Sequence, residues 1–410
     1  MAISNLVKVL DQELEDLKTK GTAKGKELIV EKAIKPQGEK GPRFLLKGFG
    51  NKEFIRMNSN SYLGMQFNEE VTAAEENAAS SFGVGPGAVR FISGTYKPHR
   101  DLEKKLAEFH GREDAMIFSS AYSTVLGVLT PLITKQTIVI SDELNHNCII
   151  NAVRLSRPQD KKIYKHLNME ELDKVIQECV GQAKRVVVVT DGIFSMRGDY
   201  APLDKIMEIT KKYNSEFPED IIVVVDDSHG VGAFGETGRG TEQYTHAGKV
   251  DILIGTLGKA YGVNGGYITS SETVVNYLRE KAPMYIYSNP ITVSEAAAVI
   301  KVLEILDSDR GRQILEKLRK LTKKFEQGLV DLGFEIIASD HPIVPLLVRD
   351  TQKTSELVKY LVDNGVLGTG LNFPVVPKGD ETIRFQINGD HTDFDIDAVL
   401  EILKKYKQSH

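Results

Sequence analysis

Between residues 115 and 294 the chain alternates short apolar runs with amphipathic stretches, and that alternation leaves few folds open. The strand-like runs are 115–119, 137–141, 162–164, 185–190, 221–225, 251–255, 266–269 and 285–287. Runs such as Val186-Val-Val-Val189 and Ile221-Ile-Val-Val-Val225 show no polar alternation, so both of their faces should be buried. That pattern predicts an α/β architecture, a mostly parallel sheet with helices on both faces. Six of the runs end in small or polar groups: Ser119 to Tyr122, Asp142 to His146, Asp191 to Ser195, Asp226 to His229, Thr256 to Lys259, and Ser288-Asn289. Ligands of open α/β sheets bind outside the carboxyl ends of the strands. Any one such group reads equally well as a cap or a turn, but six along one sheet edge mark a site.

Two of these strand ends carry a specific chemistry. Lys259 follows the apolar run 251–255 and sits in a loop with Gly258, Gly262, Gly265 and Gly266. A lysine there can be a turn residue pointing at water. It can also be a buried amine that loses its proton and forms a Schiff base. Asp226 ends another buried run, 33 residues earlier. A buried carboxylate needs a positive partner, because an unpaired charge away from water is costly. A Schiff-base lysine together with an aspartate for a protonated pyridine nitrogen is the pair that pyridoxal phosphate imposes on its proteins.

Composition narrows the field. At 410 residues, 41% of them hydrophobic, the chain can bury a large core and exceeds one ordinary domain. The net charge is −5, from 52 basic and 57 acidic residues that are interspersed, which speaks against a nucleic-acid surface. The only cysteines, Cys148 and Cys179, lack metal-type spacing and fit a reducing compartment. No run approaches 18 apolar residues and the N-terminus has no leader pattern, so a cytoplasmic protein without a metal site is expected.

The flanks complete the predicted organisation. Leu6, Val7, Leu10, Leu14 and Leu17 predict an amphipathic helix over residues 1–20, which must pack on something, such as a partner subunit. Residues 21–50 read as a polar arm with one short strand, and Asn60 and Tyr62 lie in a polar turn where a ligand contact is one reading and an ordinary turn the other. Gly83 to Thr95 is glycine-rich but follows a helix-like stretch, so it reads as a loop of close backbone approach and not as a dinucleotide fingerprint. Helices are expected at 69–80, 99–110, 293–308, 312–332, 354–364 and 394–405, with strands at 335–338, 343–348 and 382–387. Three parts are expected: a helix and arm over 1–57, a large cofactor-binding domain over 58–295, and a smaller α+β domain over 296–410.

Several ordered strings carry a resemblance. TDGIFSMRGD (190–199), VDDSHGVGAFGETGRG (225–240) and TLGKAYGVNGGY (256–267) are similar to those of the pyridoxal-phosphate-dependent α-oxoamine synthases, which join a small amino acid to an acyl-CoA with loss of carbon dioxide. The likeness runs from 58–65 to 382–388. VRFISGT (89–95), SDELNHNCIINAVRLS (141–156) and PVVPKG (374–379) most resemble glycine C-acetyltransferases. The resemblance implies an aspartate-aminotransferase-like fold of type I, with a mostly parallel seven-stranded sheet in the large domain, and condensation of glycine with acetyl-CoA. The alternatives it leaves are an 8-amino-7-oxononanoate synthase acting on alanine and pimeloyl-CoA, another α-oxoamine synthase, another pyridoxal enzyme of the same fold, or a catalytically silent partner subunit.

By the same resemblance Lys259 would hold the cofactor and act as base, Asp226 would face the pyridine nitrogen, and His146 would stack on the ring. His229 and Ser195 would bond the ring's phenolic oxygen. Thr256 and the backbone of Ala121-Tyr122 would hold the phosphate. Ser288 and Asn289 would reach the phosphate of a second subunit in a homodimer, and Arg384 with Asn60 would grip the substrate carboxylate. Taken without the resemblance, Arg384 reads as a surface strand arginine. At Ala121-Tyr122 the chain departs from the Cys-Phe or Ser-Phe pair of the acetyltransferases.

Overall fold

Parallel valine-rich strands dominate the centre of the molecule. The computed structural model describes residues 3–409 apart from 21, 22, 24, 26, 374 and 375. Pro374 and Val375 of the late PVVPKG string therefore lie outside the described residues, as do Gly21, Thr22, Lys24 and Lys26 of the arm. Three short strands come first, β1 (Val30–Ile34), β2 (Arg43–Leu46) and β3 (Glu53–Arg56). Seven follow: β4 (Asp114–Phe118), β5 (Thr137–Asp142), β6 (Asp160–Tyr164), β7 (Arg185–Asp191), β8 (Ile221–Asp226), β9 (Ile252–Thr256) and β10 (Gly266–Ser270). The last five are β11 (Glu335–Ile336), β12 (Ile343–Leu347), β13 (Val366–Leu367), β14 (Thr369–Leu371) and β15 (Thr382–Gln386).

The seven middle strands form one sheet in the order β4-β10-β9-β8-β7-β5-β6. β10 runs antiparallel to both of its neighbours and the other pairs are parallel. Successive side chains of a strand point to opposite faces. Val186, Val188, Val223 and Val225 accordingly enter one core, while Val187, Val189 and Val224 enter the other. This two-sided burial is why the strands read as unbroken apolar runs.

The run 285–287 is not a strand. Tyr285 and Ile286 close a short helix, Pro283–Ile286, and Tyr287 follows as its C-cap. Pro283 occupies the first helical turn, where its missing N–H has no partner to lose. The arm holds two strands where one is expected: β1 pairs with β2, β2 with β3, and β3 lies parallel to β13. Residues 30–56 are thus joined to a segment more than 300 positions away. A buried ion pair between Arg43 and Asp395 (2.5 Å) ties the same regions together. A third sheet, β11-β12-β15-β14, is antiparallel throughout.

The helix Val293–Leu306 packs on Glu69–Phe82 and Lys97–His110. The N-terminal helix forms over Ser4–Thr19 and buries none of its residues. Among the described residues no helix is long and apolar enough to cross a membrane.

Candidate active site

The carboxyl ends of β7, β8 and β9 converge on a cavity. Its lining includes Ala121, Tyr122, His146, Ser195, Asp226, His229 and Lys259. Asp226 is the last residue of β8, in register with Asp191, the last residue of β7. Lys259 stands three residues beyond β9 in the loop that leads to β10. Burial lowers the Lys259 amine against the pull of Asp226 and Asp191, and with the Arg384 charge added it settles at about 8. A good fraction of such an amine is neutral near pH 8 and therefore nucleophilic.

Asp226 accepts the Ser228 backbone N–H (3.1 Å) and the Cys148 thiol (3.6 Å). Burial and the Asp226 charge push Asp191 well above the usual carboxylate range, although its Oδ2 accepts the His146 N–H (2.7 Å). His146 caps the helix Asn147–Ser156, its Nδ1 accepting the Cys148 N–H (3.3 Å), and remains exposed at the cavity. Burial and the Lys259 charge lower its pKa, opposed by Asp226.

His229 is buried and held neutral, chiefly by burial, then by the charges of Lys259 and Arg384. Its Nδ1 lies 2.7 Å from the Tyr62 hydroxyl and its carbonyl faces His341 Nε2 at 2.9 Å. Burial raises the Tyr62 phenol, which therefore keeps its proton to donate. With Nδ1 accepting, the ring hydrogen belongs on Nε2. Tyr62 also lies 3.2 Å from Asn60 Oδ1, and the same oxygen accepts from Arg384 Nη2 at 3.2 Å. Arg384 is buried on β15, so the reading as a surface strand arginine does not hold.

A helix N-terminus that could hold an anion lies at the cavity wall, and Thr256, outside that lining, braces the neighbouring turn. Ser120 caps the helix Ala121–Leu132 and its side chain accepts the Ser123 N–H. The first-turn N–H groups of Ala121 and Tyr122 have no partner within the helix. Tyr122 itself is exposed, and its hydroxyl bonds the Asn147 and Asn151 side chains. The Thr256 hydroxyl accepts the Gly258 N–H (3.1 Å) and donates to the Gly265 carbonyl (3.2 Å), which fixes the turn that carries Lys259. Ser288 and Asn289 follow the short helix Pro283–Ile286 and are not part of this cavity's lining. Neither is the glycine-rich stretch 83–95, whose Arg90 is paired with buried Glu103 (3.1 Å).

Asp227, next to Asp226, does different work. It is buried, and its two oxygens accept the Thr241 N–H (2.7 Å) and hydroxyl (2.6 Å). Burial raises it to about 7 against those bonds. Gly192, Gly230 and Gly240 surround it so closely that a Cβ on any of them would stand 2.0–2.2 Å from a carboxylate oxygen.

The residues fit a pyridoxal phosphate group. A buried amine of lowered pKa, a carboxylate for the ring nitrogen, a histidine at the open face and a helix N-terminus for phosphate share one cavity. Ser228 Oγ, also in the lining, is buried without a partner among the described residues. Asp191 and Ser228 stand in strand-end groups that the sequence marks, but neither receives a role there, and Cys148 is read only for its spacing. The matching ends of two valine runs, and the cysteine two positions after His146 at a helix start, were the available signals.

Comparison with known proteins agrees with this geometry. The profile described as aminotransferase class I and II matches residues 52–403. The chain is 40% identical to 8-amino-7-oxononanoate synthase of Bacillus pumilus, over 86% of this chain and 87% of the relative. It is 37% identical to the enzyme of that name from Fervidobacterium nodosum, over 97% of each. Among solved structures, serine palmitoyltransferase of Sphingomonas wittichii superposes with a TM-score of 0.88 at 26% identity, over 99% of this chain and 98% of that one. The S. paucimobilis serine palmitoyltransferase, solved with a pyridoxal phosphate–myriocin adduct, gives 0.87 at 25% identity, over 100% and 98%. The two sequence relatives named here are 8-amino-7-oxononanoate synthases and not glycine C-acetyltransferases.

Proposed function

The chain belongs to the α-oxoamine synthases, pyridoxal-phosphate enzymes of aspartate-aminotransferase-like fold within the class I and II aminotransferases, and we propose that it joins alanine to a pimeloyl thioester, giving 8-amino-7-oxononanoate. The observation that carries this reading is the match of nearly the whole chain to 8-amino-7-oxononanoate synthases. A carbon–carbon bond forms between the amino acid's α-carbon and the thioester carbonyl, the carbon–sulfur bond breaks to release coenzyme A, and the carboxylate leaves as carbon dioxide.

Pyridoxal phosphate, when bound, supplies an electron sink for charge developing at the α-carbon. Lys259 would hold it covalently, Asp226 would keep its pyridine nitrogen protonated, and His146 would lie against its ring. His229 Nε2 and Ser195 would bond its phenolic oxygen. The Ala121 and Tyr122 N–H groups and Thr256 would hold its phosphate. Arg384 would take the substrate carboxylate with Asn60 beside it, which orients the bond to be broken. The Lys259 amine, at about 8, is suited to take and return the α-proton near neutral pH. Ser288 and Asn289 would complete the phosphate site of a second copy, so the working unit would be a homodimer in which residues 58–295 carry the cofactor.

The test is coenzyme A release by the pyridoxal-phosphate-loaded protein, with alanine, glycine and serine crossed against pimeloyl-, acetyl-, succinyl- and palmitoyl-CoA. Release with alanine and pimeloyl-CoA, absent in Lys259→Ala, is expected. Release with glycine and acetyl-CoA alone would place the chain in the acetyltransferase branch instead. No release with any pair would leave a silent subunit.

A further inference from the structure

A second cavity, of about 200 Å³, opens on the other side of Ser195, which lines both it and the Lys259 cavity. Its walls are largely apolar: Leu144, Phe194 and Met196 come from loops at the carboxyl edge of the large sheet, Ile337, Leu347 and Val376 from the C-terminal region. A two-carbon acyl group would leave most of this room without contacts, and apolar voids forfeit packing energy. Arg197 also lines the cavity. Its Nε is fixed by Asp199 Oδ2 (2.8 Å), an oxygen that also faces His166 Nε2 at 3.3 Å. Its two terminal nitrogens make no hydrogen bond or ion pair among the described residues. Among the described residues the one carboxylate in the lining, Asp380, lies 4.0 Å from Arg349.

We propose that this cavity takes the acyl chain of the thioester substrate and that Arg197 binds a carboxylate at the chain's far end, selecting dicarboxylic monothioesters over fatty acyl and acetyl thioesters. The proposal rests on the α-oxoamine synthase reading and deepens it. An anchored guanidinium presents a rigid fork that matches a carboxylate. A chain of the same length ending in a methyl group would strip water from that fork and return nothing.

Binding of pimeloyl-CoA and of heptanoyl-CoA, equal in length and differing in the terminal carboxylate, tests this by calorimetry on the holoenzyme, with coenzyme A release measured alongside. Wild type should prefer pimeloyl-CoA by roughly 10- to 100-fold. Arg197→Met should erase the preference while leaving heptanoyl-CoA binding in place, and Arg197→Lys should restore part of it. Met196→Trp should weaken both long thioesters and spare acetyl-CoA. Equal wild-type binding of the two probes, or a preference that survives Arg197→Met, would overturn the proposal. Coenzyme A release from acetyl-CoA alone would also overturn it and leave the family's reaction standing. Arg197-dependent binding of pimeloyl-CoA with no release under any amino acid would support the cavity and overturn the reaction.

Discussion

Asp191 and Asp226 end neighbouring parallel strands in register, two carboxylates side by side at the floor of the Lys259 cavity. Like charges so placed do not both ionise easily, and burial together with Asp226 drives Asp191 well above the carboxylate range. That shift favours the protonated form of Asp191, whose Oδ2 accepts the His146 backbone N–H, and in the proposed reading Asp226 would be the carboxylate that faces the cofactor. Asp191→Asn mimics that neutral form and should retain activity within about tenfold. Asp226→Asn should cost roughly 100- to 1000-fold in kcat/KM, as breaking a buried charge pair does. Steady-state kinetics on the two variants checks this, and equal losses would contradict the assignment.

The Lys259 amine sets a pH dependence on cofactor capture. Its pKa of about 8 means that the neutral amine accumulates as pH rises through that value. The rate at which apoprotein captures pyridoxal phosphate, followed by absorbance near about 420 nm, should climb from pH 7 to 9 with its midpoint near 8. Asp226 raises this pKa, so Asp226→Asn should move the midpoint downward. A rate that is flat over this range would refute the buried-amine reading.

His166 links Asp142 Oδ1 (3.0 Å) and Asp199 Oδ2 (3.3 Å), fastening the loop that carries Ser195 and Arg197. Burial lowers its pKa, but the two carboxylates prevail and raise it to about 9. A histidine raised above its unfolded value stabilises the fold fully below the unfolded pKa, and that stability is lost as pH rises through about 9. His166→Asn should lower stability at pH 6 by an amount on the order of 1–2 kcal/mol, allowing for solvent screening of a partly exposed pair. The deficit should vanish near pH 10. Chemical denaturation at the two pH values measures it.

How much of this was legible depends on whether the signal was local. The valine-rich runs could be read because burial on both faces imposes an apolar residue at every position, as at Val186 to Val189. Lys259 and Asp226 could be read because a charged residue at the end of such a run needs a reason. The sheet of β1, β2, β3 and β13 could not, since its closing pair is far apart in sequence and its strands are two to five residues long. Residues 285–287 misled because three apolar residues have no period, and the proline that starts the helix was the better clue. Arg384 on its own looked like a surface residue, because its burial depends on Asn60 and Tyr62 arriving from the other end of the chain.

The glycines around Asp227 give a steric test of that residue's structural role. A Cβ on Gly230 would stand 2.1 Å from Asp227 Oδ1 and 2.7 Å from Oδ2, with the carboxylate already committed to Thr241. Gly230→Ala should cost about 3 kcal/mol or more, because neither the strand end nor the carboxylate can retreat. Gly85→Ala, where a Cβ meets nothing within 4 Å, should stay within about 0.5 kcal/mol of wild type. Comparable denaturation midpoints for the two variants would remove Asp227 from the framework of the site.

Tyr62 joins the two halves of the site. Its hydroxyl lies 2.7 Å from His229 Nδ1 and 3.2 Å from Asn60 Oδ1, an oxygen that also accepts from Arg384 and Gln386. Tyr62→Phe removes the donor that fixes the His229 tautomer and leaves a buried ring nitrogen unpaired, a loss of about 1–3 kcal/mol. With the ring hydrogen free to move to Nδ1, Nε2 would no longer be a dedicated donor toward the cavity. Two effects should therefore appear together. Thermal stability of the apoprotein should fall, and kcat should fall by roughly tenfold or more with the KM for the amino acid less affected, since the Arg384 charge remains. Raising the amino acid concentration should not rescue such a variant, because the defect lies in a proton's position and not in carboxylate binding. A variant that lost only KM would show that Tyr62 serves Arg384 and Asn60 alone.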